Sequence, residues 1–423
     1  MITVEKNTMP EAPVIMKNAD PATIPLHAID MSQPDLYEHD LALPFFARLR
    51  HEAPFHYCAN GQFEPFWSVT RFNDIVEVEK NHQLFSNEPN ISLFDPMEEV
   101  PFQSFLQMDP PKHDVQRASV QSAVAPANLK NLEPLIRERA ARILDDLPVG
   151  DTFDWVDRVS IELTTQMLAT LFDFPFEDRR KLTYWSDLTA DSNGGGSNVS
   201  REEQAAGMME CAQYFTRLWN ERVDDPSGND FISMLIRSES TRNLVDNPME
   251  FLGMCLLLIV GGNDTTRNSI SGGVYALNQY PREYEKLRNN LALIPSMVSE
   301  IIRWQTPIIY MRRRATADTE LFGKQVREGD KLLLWYLSGN RDESVIENPE
   351  EFIIDRPNPR HHISFGFGVH RCMGNRMAEM QLRVLWEEIM KRFRFVELMD
   401  EPVRFRSNMV RGYTKMPVRV HLW

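Results

Sequence analysis

The chain has 423 residues, 42% apolar and 25% charged, an ordinary globular composition that excludes disorder, collagen and a disulfide scaffold. Acidic residues outnumber basic ones, 61 to 46, for a formal charge of −15. A general nucleic-acid binder would carry a basic footprint, so that class is set aside as well.

From the N-terminus, residues 1–25 carry prolines without periodicity and are expected to form an irregular arm ahead of one domain over 26–423. No signal-peptide pattern opens the chain. Short strands are expected at 65–69, 331–336 and 418–422. Apolar residues at helical spacing predict long helices over 128–146, 157–172 and 375–393. Between two such helices, the Gly-, Ser- and Asn-rich stretch 191–200 reads as a connection. The longest apolar run, 251–262, is shorter than the roughly 20 residues a membrane span needs and runs into Asn263 and Asp264. Cys58, Cys211, Cys255 and Cys372 are too scattered for a zinc site of the usual spacing and fit a reducing compartment. The expected protein is mainly α, cytoplasmic and without a transmembrane anchor.

Several motifs stand out along this frame. His113 and Arg117, spaced i, i+4, share a helix face. Gly261-Gly262-Asn263-Asp264-Thr265-Thr266 lies inside a helical pattern that starts near Pro248 and stops before Pro281. Two glycines inside a helix cost about 1 kcal/mol each relative to alanine, a helix break being the plain alternative. Glu300 and Arg303 share a face at i, i+3, and Arg312, Arg313 and Arg314 follow a short apolar segment. Then comes Phe365-Gly-Phe-Gly-Val-His-Arg-Cys-Met-Gly374, directly before the last long helix. A cysteine there meets free backbone N–H groups and the positive end of the helix dipole, both of which favour a thiolate. The three glycines let backbone approach something flat and bulky.

This last segment resembles the haem-thiolate signature of the cytochrome P-450 monooxygenases at every fixed position. The resemblance implies one domain with a smaller β-rich subdomain and a long central helix over haem b. It makes Cys372 the proximal iron ligand, with Phe365 and Gly261 against the haem. His113, Arg117, Arg313 and His370 would bind its carboxylates; which of Arg312, Arg313 and Arg314 turns inward stays open by one position. Asp264 and Thr265 match the family's acid–alcohol pair, which passes protons toward bound oxygen. Glu300, Arg303 and Arg356 match a structural triad that steadies the cysteine loop.

The similarity extends to the soluble bacterial group that hydroxylates medium-chain alkanes and fatty acids at the terminal methyl. On that topology the substrate would meet Leu257, Val260, Gly261, Ile309 and Met409, along with the apolar loop 85–106. A terpene or steroid-like ring is the alternative substrate. Electrons would come from a ferredoxin and its flavoprotein reductase, docking near Lys112, Arg371 and Arg376. The residues alone leave two other readings: a cysteine hydrolase in which His370 or His362 activates Cys372, and a haem gas binder.

Overall fold

The computed structural model describes residues 14–94, 103–190 and 199–423. Residues 1–13 of the expected arm, 95–102 of the apolar loop (Phe102 included) and 191–198 of the Gly-rich connection lie outside the described residues.

The helices that position the site are α1 (Phe72–Lys80), α2 (Lys112–Gln121), α3 (Pro126–Asp145), α4 (Glu162–Phe172), α5 (Arg180–Ala190), α6 (Arg201–Arg222), α7 (Pro248–Gln279), α8 (Ile294–Gln305) and α9 (Asn375–Arg392). α3 and α7 both begin on proline, whose fixed φ suits the first helical position and whose missing N–H would be unpaired there anyway. The predicted helix over 157–172 is present, opening as a wider turn at Val156–Ile161 before becoming α4.

α7 is the axis of the fold. Its 32 residues span about 48 Å at 1.5 Å per residue. α4, α5, α6, α8 and α9 all pack around it. Two glycines bring α8 close: a Cβ on Gly272 would sit 2.4 Å from Gln305 Oε1, and one on Gly273 2.8 Å from Ile301 Cδ1. The helical core holds Trp155, Trp185, Trp219 and Trp386, each buried.

Beside the helices lies a five-stranded sheet of β1 (Phe55–Cys58), β2 (Phe66–Val69), β3 (Phe85–Ser86), β4 (Met311–Ala315) and β5 (Lys331–Leu334), in the order β1-β2-β5-β4-β3. Only β2 and β5 pair in parallel; the other pairs are antiparallel. The strand predicted to reach residue 336 stops at Leu334, because Tyr336–Gly339 turns into a short helix. The predicted C-terminal strand is Pro417–Leu422, paired with Phe393–Leu398 and Phe153–Asp154. Among the described residues no helix is long and apolar enough to cross a membrane.

Candidate active site

The cysteine loop runs from Phe365 into the N-terminus of α9. Cys372 N–H donates to the Phe365 carbonyl at 2.8 Å, closing the loop on itself. Gly366 and Gly368 hold φ of +65° and +69°, a left-handed backbone that side chains adopt only with strain. Cys58, Cys211 and Cys255 are buried, whereas Cys372 is accessible. Burial still pushes the Cys372 thiol up, opposed by hydrogen bonds from the Gly374 and Asn375 amides and by the charges of Arg117 and Arg371. The sulfur is thus accessible, yet surrounded closely enough to desolvate its charged form.

α7 supplies an apolar wall of matching character. Almost every residue from Phe251 to Leu277 is buried, but Leu257, Val260, Gly261, Gly262, Thr265 and, further along, Tyr275 keep partial or full accessibility. Leu257, Gly261 and Thr265 are four apart and form one line along the helix. A Cβ on Gly261 would meet no atom within 4 Å. The helix runs through both glycines unbroken, and the Thr265 hydroxyl donates to the Gly261 carbonyl at 3.1 Å.

Asp264, next along, turns to the other side. Its Oδ1 accepts from Ser186 at 3.1 Å and from Asn263 at 3.2 Å and pairs with Arg267 at 3.1 Å, while Oδ2 has no partner. Burial raises its carboxyl above the usual range, and the Arg267 charge opposes that. Arg267 reaches on to Asp187, which is partly open to solvent. Asp264 thus stands between the accessible stripe and the surface.

Cationic groups gather near the cysteine loop. The rings of His113 and His370 lie 4.3 Å apart, edge to face. His113 Nδ1 bonds Asp114 at 2.7 Å, but its Nε2 and both nitrogens of His370 are buried without partners. Burial, together with the charges of Arg313, His113 and Arg117, holds His370 well below the usual imidazole range. Arg117 donates to the Arg371 carbonyl at 2.7 Å. Of the three arginines Arg314 is exposed, whereas Arg312 and Arg313 are both buried: Arg312 donates to the Asn90 carbonyl at 3.0 Å and Arg313 to Glu79 at 2.9 Å. Three orphaned imidazole nitrogens beside two arginines fit the carboxylates of a bound haem b, and the accessible sulfur fits its iron.

The triad is assembled as a buried network. Glu300 takes Arg303 Nε and Nη2 at 2.8 and 2.7 Å and Arg356 Nε at 3.1 Å. The two arginines then donate to the carbonyls of Asn340, Glu347, Asn348, Pro349 and Glu351. Asn340 carries the link to the cysteine loop, donating to Ser364 Oγ and accepting from Ile363 N–H.

Not every expected residue is accessible. Ile309 and Met409 are buried in a second apolar cluster, joined by an Ile309 N–H to Met409 carbonyl bond of 2.9 Å. Their neighbours Ile308 and Met311 keep partial accessibility. Glu79, Tyr336 and Asn340 carry no local signal in the sequence, since Glu79 meets its partners more than 230 positions away. Ser364 had one, standing next to the cysteine motif. His370 makes no hydrogen bond, so no Cys372–His370 hydrolase pair forms. Among the described residues the one metal-competent cluster is Asp35, Glu38 and His39, which excludes Cys372.

A helical fold with this cysteine loop before a helix N-terminus, together with a Gly-Gly-Asn-Asp-Thr-Thr central helix, defines the haem-thiolate class. The family model "Cytochrome P450" matches residues 198–420. Linalool 8-monooxygenase of Pseudomonas putida is 34% identical over 92% of this chain and 98% of its own. Methyl-branched lipid omega-hydroxylase of Mycobacterium tuberculosis is 30% identical over 94% and 96%. A solved structure of cytochrome P-450-153 from Novosphingobium aromaticivorans is 45% identical, with a TM-score of 0.86 over 93% of this chain and 99% of that one. The chain belongs to the cytochrome P-450 family: it is a haem b monooxygenase that takes its electrons from redox partners.

Proposed function

We propose that this monooxygenase hydroxylates the terminal methyl of a medium-chain alkane or fatty acid. The overall reaction consumes the C–H substrate, O2, two electrons and two protons, and yields the alcohol and water. The observation that carries the reading is the accessible line Leu257, Val260, Gly261 and Thr265 in the middle of a largely buried helix. It is apolar apart from one hydroxyl, so it binds a hydrocarbon by area burial, about 25 cal/mol per Å². The omega-hydroxylase named among the relatives supports attack at a chain end. The linalool enzyme supports the rival substrate, a terpene.

Within this reading Cys372 binds iron, and the bound haem supplies oxygen activation. His113, Arg117, Arg313 and His370 hold its carboxylates; arginine suits them because its fork bonds bidentately. Thr265 holds a proton at Oγ1 above Gly261, and Asp264 takes protons from the Asp187–Arg267 side. Glu300, Arg303 and Arg356 fix the backbone behind the loop. A cytoplasmic ferredoxin, reduced by a flavoprotein, delivers electrons at the exposed Arg371 and Arg376. Lys112 contributes less, being paired with Glu250 at 3.3 Å.

The test is a binding titration of the holoenzyme with n-alkanes, fatty acids and cyclic terpenes, followed by product analysis. Tightest binding of a linear chain with a primary alcohol as product is expected. Preference for rings, or hydroxylation inside the chain, would overturn the terminal-methyl assignment.

A further inference from the structure

α1 ends beside the cysteine loop, and its penultimate residue is Glu79. A carboxylate is poorly placed there, because the C-terminal end of a helix carries partial negative charge. Burial adds a second cost, since Glu79 is 3% exposed. The offset comes from two long-range partners. Arg313 Nη2 donates to Glu79 Oε1 at 2.9 Å, and the Tyr336 hydroxyl donates to the same oxygen at 2.5 Å. Both partners are buried, and Glu79 Oε2 has no partner.

The cysteine loop is moulded onto this residue. A Cβ on Gly366 would come within 3.3 Å of Glu79 Oε1, and one on Gly368 within 2.5 Å of the Glu79 carbonyl oxygen. The two left-handed glycines therefore wrap the carboxylate and carbonyl of a single residue. The same carboxylate holds the arginine assigned above to a haem carboxylate. One anion thus touches both the loop that carries the sulfur and the cation that faces the cofactor.

We propose that Glu79 is a positioning residue of the haem site, sharing the Arg313 guanidinium with a haem carboxylate and biasing the iron toward its oxidised state through its buried charge. The inference rests on the assignment of Cys372 and Arg313 under the proposed function. A negative charge fixed near the haem opposes the arrival of an electron, and in a low-dielectric interior it is weakly screened. Arg313, divided between two carboxylates, neutralises each incompletely.

The test is a spectroelectrochemical titration of the holoenzyme. Glu79→Gln keeps the shape and loses the charge. Its ferric–ferrous equilibrium is expected to move three- to tenfold toward ferrous, tenfold being 59 mV for one electron. Tyr336→Phe removes one hydrogen bond to the charge but leaves the charge, so its shift is expected toward ferric. A potential unchanged within twofold in Glu79→Gln, with the thiolate spectrum intact, would overturn the inference, even if the variant were less stable. Should Glu79→Gln not fold, the sign in Tyr336→Phe decides, and no shift or a shift toward ferrous overturns it. Failure of the underlying assignment looks different: Arg313→Ala would retain haem as tightly as the parent, or Cys372→Ser would keep the thiolate spectrum.

Discussion

The two walls of the site are built on different physics. Behind Cys372, buried charges are packed together: Glu300 with Arg303 and Arg356, and Glu79 with Arg313. On α7, by contrast, the accessible stripe is apolar, and its one bond of note joins Thr265 to Gly261. Ionic networks are directional and costly to desolvate, so they suit a sulfur that must hold a single position. Apolar surface is nondirectional, so it suits a guest that slides in by shape. The comparison predicts that substitutions behind the sulfur act on folding and cofactor retention, and substitutions on the stripe act on substrate and coupling.

The largest effect is expected from Cys372→Ser. The reduced carbon-monoxide adduct should lose the long-wavelength Soret band of a thiolate ligand, and turnover should vanish. Retention of that band would break the comparison at its root. Glu300→Gln comes next, because it leaves two buried arginines without their anion. The expected cost is about 3–5 kcal/mol in urea unfolding at neutral pH. Its pH dependence carries a sign. Burial alone would raise the Glu300 carboxyl, but the bonds and charges of Arg303, the Ile353 amide and Arg356 outweigh it and hold it below 4.5. A carboxyl lowered by folding contributes stability that is complete above its unfolded value and lost as pH falls through the folded one. The gap between parent and Glu300→Gln should therefore narrow below pH 4.5. A constant gap would mean that Glu300 is not the anion of the network.

Part of this division is legible in the sequence. The cysteine motif, the Gly-Gly-Asn-Asp-Thr-Thr segment and the Glu300–Arg303 pair each lie within a short window, so they can be compared with a family pattern, but the roles of the last two are readable only through that resemblance. Arg356 is readable only through resemblance, because its partner lies 56 positions away. Glu79 is invisible for the same reason at greater range: nothing near it in sequence shows that Arg313 and Tyr336 will meet it. Among Arg312, Arg313 and Arg314, exposure sets aside only Arg314; Arg312 and Arg313 are both buried, and it is the charge of Arg313 beside His370, a long-range contact, that favours Arg313. On the stripe, the family topology points to Leu257 and Gly261, which the helix sets four residues apart on one line. That topology could not show that Ile309 is withdrawn into a neighbouring cluster while Ile308 is not.

Smaller effects sharpen the stripe. Thr265→Ala removes the hydroxyl above Gly261 and should raise peroxide released per product at least about tenfold, a floor below the roughly 10²–10⁴ span of general acid effects because water can carry part of the proton flow. Unchanged coupling would mean that water alone carries the protons. The two glycines give the finest contrast. Alanine is favoured over glycine within a helix by about 1 kcal/mol. At Gly261 the added methyl meets open space, so Gly261→Ala should raise thermal stability by about that amount while weakening binding of the hydrocarbon it displaces. At Gly262 the methyl would lie 2.8 Å from Leu168 Cδ2, so the gain should be offset by repacking and substrate binding should hold. Equal behaviour of the two variants in melting and titration would mean that the accessible line on α7 does not face the substrate.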